Sequence, residues 1–148
     1  MPNCLFCDIA QKKEQSSIVY EDELCLAFMD IFPLAKGHVL VIPKKHGVLL
    51  NELEQNLQSH IFSIGNKIVS AQRKAGFGVE GTNFLLNDGK AANQTVPHIH
   101  LHLIPREKGD LLKAIPKIAL HVTGLFGRRT SREILNTQAK LIREQMLT

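Results

Sequence analysis

Residues 98–104 read His98-Ile99-His100-Leu101-His102-Leu103-Ile104. This alternation of imidazole and aliphatic side chains constrains the chain more than any other feature. Successive side chains of a strand point to opposite faces. One face of the segment therefore carries three imidazoles and the other carries Ile99, Leu101 and Leu103. At roughly 3.4 Å rise per residue, alternate imidazoles sit about 6.8 Å apart. The aliphatic face belongs against a helix. The imidazole face must line water or a ligand, because an imidazole buried without a partner costs free energy.

The rest of the sequence supplies the surroundings. Residues 18–21, 24–30, 38–43 and 82–87 read as strands, being β-branched or aliphatic and bounded by turn residues. Asn51-x-x-Glu54 resembles a capping box. After it, Leu53, Leu57, Ile61, Ile64 and Ile68 form one apolar stripe at helical spacing, closed by Gly76 and Gly78. Residues 131–146 repeat the helical spacing in Ile134, Leu135, Ala139, Leu141 and Ile142. Strands follow one another rather than alternating with helices. The expected fold is α+β: an antiparallel sheet of about five strands, one long helix packed on it, and a C-terminal helical tail. With 148 residues and no Gly/Ser/Pro linker, the chain reads as a domain over 1–109, with 110–148 as a helical extension of it.

Several classes of function are set aside. No apolar run approaches the ~18 residues of a membrane span, and residues 1–10 lack the basic-then-apolar order of a secretory signal. Three cysteines, two of them in Cys4-x-x-Cys7, argue for a reducing compartment and a cytoplasmic protein. The net charge of +4 resides wholly in residues 110–148, a solvated helix face by its pattern. Within it, Lys113, Lys117, Arg128, Arg129 and Arg132 are candidates to shape leaving-group preference or dimer contacts. Aromatic residues make up only 5% of the chain, and none interleaves with these basic residues, which disfavours nucleic acid as a partner.

Three imidazoles in a row suit either a catalytic metal or phosphoryl chemistry. The preceding segment, Asn87-Asp88-Gly89-Lys90-Ala91-Ala92-Asn93-Gln94-Thr95-Val96-Pro97, favours the second. A polar loop with a glycine can present backbone N–H groups and small polar side chains to a phosphate. His100 has an imidazole on each side and is the expected nucleophile. Cys4 and Cys7 have the spacing of a zinc knuckle, or are two small buried cysteines, and a zinc would need two further ligands. Cys25 reads as an inert strand residue.

His98-x-His100-x-His102 with its leading Gln94-Thr95-Val96 resembles the signature of the histidine triad (HIT) family of nucleotide hydrolases and transferases. Gly37-His38-Val39-Leu40-Val41-Ile42-Pro43-Lys44-Lys45-His46 is similar to that family's second block. Cys4-Leu5-Phe6-Cys7-Asp8-Ile9 is similar to the N-terminal block of its Hint-type branch.

The resemblance implies a catalytic set of His100, His102 and His38. It implies phosphate donors at Asn87, Gln94, Thr95, the Val96 N–H and His102, with Asp30 on the ribose hydroxyls. Leu5, Phe6, Ile9, Ile31 and Leu40 would form an apolar slot for a purine. Some bacterial relatives imply a closed, structural zinc held by Cys4, Cys7, His46 and His98. The family also implies a homodimer. Asn93 stands where relatives often place Gly, and Ile104-Pro105-Arg106-Glu107-Lys108-Gly109-Asp110 is similar to the Fhit-type ending. The expected activity is hydrolysis of an AMP-linked purine nucleoside phosphoramidate through a nucleotidyl-histidine. The alternatives are a Fhit-like dinucleoside polyphosphate hydrolase, a nucleotide-binding regulatory module and a zinc hydrolase.

Overall fold

The computed structural model describes residues 3–122 and 129–148. Five antiparallel strands form one sheet: β1 (Ile18–Glu21), β2 (Cys25–Met29), β3 (Val39–Pro43), β4 (Gly81–Leu86) and β5 (Leu101–Arg106), in the order β1-β2-β3-β5-β4. The helices are α1 (Leu5–Ala10), α2 (Gln55–Lys74), α3 (Leu111–Val122) and α4 (Arg132–Met146). β3 pairs with β5 in a register that sets Leu40 opposite His102. No described helix is long and apolar enough to cross a membrane.

The period-two pattern of the strands divides the core between two faces. Cys25, Ala27, Met29, Val39, Val41, Leu101 and Leu103 pack with Ile61, Ile64 and Ile68 of α2. Leu26, Phe28, Leu40 and Ile42 pack on the other face with Phe6 and Ile9 of α1. β2 and β3 are thus buried on both sides. Each aliphatic side chain so buried contributes about 1.5–3 kcal/mol. Gly65 permits α2 to approach β5. A Cβ there would meet Leu101 Cδ2 at 3.0 Å and Leu103 Cδ2 at 3.4 Å.

The tail helix belongs to this core. Leu135, Ala139 and Ile142 of α4 are fully buried in the cluster that α2 completes. Ser131 caps α4, accepting from the Ile134 N–H at 3.4 Å. α3 was not resolved from the tail by sequence pattern, and Pro116 lies inside it. Lys113 and Lys117 on α3 are exposed, and Arg128 lies outside the described residues.

Two local expectations are corrected. α2 starts at Gln55, and the Asn51/Glu54 capping box does not form. Glu52 instead turns its carboxylate back onto the Val48 and Leu49 N–H groups, while Glu54 pairs with Lys45 at 3.1 Å. The histidine strand begins at Leu101 rather than His98. Here the backbone is tied to loops, with the Ile99 N–H donating to the Gly47 carbonyl at 2.8 Å. Side-chain alternation persists through the unladdered part, because Ile99 still joins the α2-side core. His98, His100 and His102 are all buried, with His100 and His102 lining a cavity.

Asp22 holds the β1–β2 turn to α2. One carboxylate oxygen accepts from the Leu24 and Cys25 N–H groups, the other from Tyr20 Oη at 2.9 Å and His60 Nε2 at 2.7 Å. Burial works against its ionisation. His60, the two backbone N–H groups and Tyr20 outweigh that penalty and hold the carboxyl down to about 2. The unfolded carboxyl titrates near 3.8. The stabilisation is therefore complete above that pH and is lost as the pH falls through about 2. The expected result is that Asp22→Asn lowers stability at pH 6, and that the gap to the unaltered protein closes towards pH 2. Urea unfolding at stepped pH measures it; a gap independent of pH would refute the assignment.

Candidate active site

Hydrogen bonds fix the tautomer of each histidine in the cluster. His100 Nδ1 faces the His98 carbonyl at 2.7 Å. A carbonyl only accepts, so Nδ1 carries the proton, and the lone pair of the neutral ring lies on Nε2. The Leu34 N–H donates to His38 Nδ1 at 3.0 Å, so His38 carries its proton on Nε2. That proton points at His102 Nδ1, 2.9 Å away. His102 then carries its own proton on Nε2. One ring of the row is thereby set to attack and the next to donate. The His100 and His102 ring centroids are 4.9 Å apart.

A cavity of about 220 Å³ opens in front of these rings. His100 and His102 line one end, with Thr95 and Val96 beside them. Leu5, Phe6 and Ile9 of α1 form one wall, and Leu40 and Ile31 lie among the other lining residues. Phe6 stands edge-on to His100, with centroids 5.1 Å apart, and shields it from water. Asp30 lines the cavity at the end of β2. Its Oδ1 accepts from the Phe32 N–H at 2.9 Å, and its Oδ2 lies 3.7 Å from His38 Nε2. A carboxylate has about four acceptor positions, so both oxygens can take further donors.

Three residues expected at the site stand apart from the cavity lining. His38 is fully buried behind His102 and acts through it. Gln94 spends its amide on structure: Oε1 accepts from the Gly89 N–H and Nε2 donates to the Val48 carbonyl at 2.7 Å. Asn87 donates to the Asn93 carbonyl at 3.4 Å. These bonds shape the loop that carries Thr95 and Val96. Asn93 sits at φ 62°, ψ 33°, the left-handed conformation that glycine adopts at least cost and asparagine tolerates. The loop's backbone path is therefore kept without glycine.

The structure also brings in Glu14, Gln15 and Ser16, which sequence reading left out, beside two of the basic tail residues it named. Glu14, Gln15 and Ser16 from the loop before β1, Arg129 from the segment ahead of α4 and Arg132 from its first turn border the same cavity.

Behind Phe6, the donor atoms of Cys4, Cys7, His46 and His98 all lie within 4.8 Å of one another. Cys4 Sγ is 3.4 Å from His98 Nδ1, and Cys7 Sγ is 3.3 Å from His46 Nδ1. Tetrahedral zinc, with Zn–S about 2.3 Å and Zn–N about 2.0–2.1 Å, places sulfur and nitrogen roughly 3.6 Å apart. The residues fit that ion. His98 Nε2 donates to the Pro43 carbonyl at 2.9 Å, which turns the Nδ1 lone pair to the cluster. Burial pushes the His98 imidazolium down to about 4, so the ring is neutral and able to ligate. Without a cation, burial and the adjacent Cys4 push the Cys7 thiol up to about 11. Cys25 stands apart from this cluster, and burial pushes its thiol up to about 12.

Comparison with known proteins agrees with this geometry. A family model described as the HIT domain matches residues 11–109. The chain is 45% identical over 116 residues to the protein hit of Bacillus subtilis, covering 78% of this chain and 79% of that one. It is 36% identical over 115 residues to the adenosine 5′-monophosphoramidase of Saccharomyces cerevisiae, covering 76% and 70%. Among solved structures, a zinc-bound histidine triad family protein from Mycobacterium smegmatis superposes with a TM-score of 0.78. It shares 34% identity and covers 98% of this chain and 94% of its own.

Proposed function

The chain belongs to the histidine triad family, and from that premise we propose that it hydrolyses a purine nucleoside phosphoramidate through a nucleotidyl-His100 intermediate. The observation that carries the reading is the Nδ1–H bond from His100 to the His98 carbonyl, at the foot of the cavity. It leaves a nucleophilic Nε2 without any change of protonation.

In the first step the Nε2 lone pair attacks phosphorus and the P–N bond to the amine leaving group breaks. His102 Nε2–H gives that amine its proton. His38 supports the transfer by donating to His102 Nδ1, which stabilises the negative charge that the His102 ring gains until the second step. In the second step water attacks phosphorus, the P–Nε2 bond breaks and His102 takes the water's proton. The product is a nucleoside monophosphate. Thr95, the Val96 N–H and His102 would hold the phosphate oxygens, while Asn87 and Gln94 shape their loop. Asp30 would hold the ribose, and Leu5, Phe6, Ile9, Ile31 and Leu40 the base.

Cys4, Cys7, His46 and His98 would hold a structural zinc, which ties α1 to the sheet and supplies no step of the reaction. Cys4→Ser is expected to bring the zinc content of the purified protein from about one per chain to near none. Metal analysis checks it, and full zinc in that variant would remove the assignment. Three unbridged thiols support a cytoplasmic setting. Edge strand β4, with Phe84 and Leu85 exposed, supports a homodimer through that edge.

A substrate panel tests the reaction class. The phosphoramidate should turn over at least about tenfold faster, by kcat/KM, than diadenosine polyphosphate or a nucleotide sugar. A preference for the polyphosphate would replace this reading with a Fhit-like one, and no turnover of any would leave a nucleotide-binding module.

A further inference from the structure

The cavity runs across the sheet. Its lining passes from His100 and His102 at β5, over Leu40 on β3 and Phe28 on β2, to Glu14 ahead of β1. Three strand intervals of about 4.8 Å separate those ends, roughly 14 Å in all. On the nucleotide reading above, the phosphorus lies at His100 and the ribose at Asp30. The outer edge of the base then arrives at the β1 end. The walls beside the base are apolar and offer stacking without identity. Identity must come from polar groups at the outer edge.

Two cavity-lining side chains of opposite charge belong to segments tied to that end, Glu14 ahead of β1 and Arg129 three residues before Arg132, which bonds Gln15 and Ser17. Glu14 and Arg129 both border the cavity and both are exposed. Neither takes part in an ion pair among the described residues. Their backbones are nonetheless fixed. The Lys13 and Glu14 N–H groups both donate to the Asp8 carbonyl, at 2.8 and 3.3 Å, folding the loop back on α1. Arg132 clamps the next residues, reaching Ser17 Oγ and the Gln15 carbonyl at 3.2 Å each. The Thr130 N–H bonds the Ile31 carbonyl at 3.0 Å and holds the Arg129 segment against the opposite wall. Arg132 is thus committed to the scaffold, and Glu14 and Arg129 are presented.

A carboxylate only accepts. Guanine offers it two adjacent donors, N1–H and the N2 amino group. Adenine offers one amino group beside the N1 lone pair, which repels the second carboxylate oxygen. The arginine fork matches O6 and N7 of guanine. We infer that Glu14 and Arg129 form a base-reading site at the β1 end of the cavity and select guanine over adenine nucleotides.

The test is calorimetric binding of GMP, IMP and AMP to the full chain, with kcat/KM on guanosine and adenosine phosphoramidates. GMP should bind about tenfold tighter than AMP, the low end for a bidentate pair. IMP, which lacks the N2 amino group, should fall between them. Glu14→Gln should bring the GMP:AMP ratio close to one, and Arg129→Ala should reduce it. Equal affinity in the unaltered protein would overturn the inference, as would a guanine preference that survives both changes. If neither nucleotide binds, the nucleotide reading falls with it. If both bind equally and turnover still requires His100, only the base assignment falls.

Discussion

His100→Ala is expected to lower kcat by at least about a thousandfold while nucleotide affinity stays within about threefold. The imidazole contributes a bond to phosphorus that exists only during turnover, so its loss falls on kcat rather than on binding. His102→Ala should lose about a hundredfold, the usual scale for a proton donor, since the leaving amine can draw a proton from water. The two effects should not add, because both residues act on one transition state. Rapid-quench turnover with mass spectrometry of the protein provides the check. The unaltered chain should carry one nucleotidyl group on the peptide containing residue 100. Turnover retained in His100→Ala would end the proposal.

Leu135→Ala is expected to destabilise the fold by about 2–5 kcal/mol, the range for removing a buried leucine from a packed core. Leu135 is fully buried beside α2, although it lies in a segment that reads from sequence as an appended tail. Urea unfolding measures the loss. A change below about 0.5 kcal/mol would show that α4 rests on the sheet rather than completing it. The same helix holds the residue before His38 through Gln138 Oε1, which accepts from the Gly37 N–H at 3.0 Å. Weaker packing of α4 should therefore also raise KM.

The legible parts of the fold were those written in local periodicity. The strand alternation and the α2 stripe depend only on neighbours in sequence, and both appear where expected. The capping box failed because residues 50–52 close a separate short turn, in which Glu52 accepts from the Val48 and Leu49 N–H groups, and Glu54 itself becomes the residue that precedes α2. The first residues of the histidine strand fell outside the ladder because the partner of Ile99 is Gly47, in a loop with no periodic signal. In the site, the row His98, His100 and His102 was readable because its spacing is short and regular, whereas the apolar slot and His38 came only from the family resemblance. Glu14 was not readable, and Arg129 was read only as part of a basic tail, because the two lie more than a hundred residues apart and border one cavity only in the folded chain. Gln94 shows the opposite failure: its position predicts a phosphate donor, but its amide is already spent on Gly89 and Val48.

Residue 98 offers two unlike groups in opposite directions. Its ring faces the cysteines, while its main-chain oxygen orients the neighbouring nucleophile. Every amino acid brings that oxygen, and only histidine brings this ring. The two duties are therefore genetically separable. On the proposed reading, a substitution at 98 that keeps the backbone path would remove one of the four metal ligands and leave the orientation of His100 intact, so the metal and the chemistry could be lost independently.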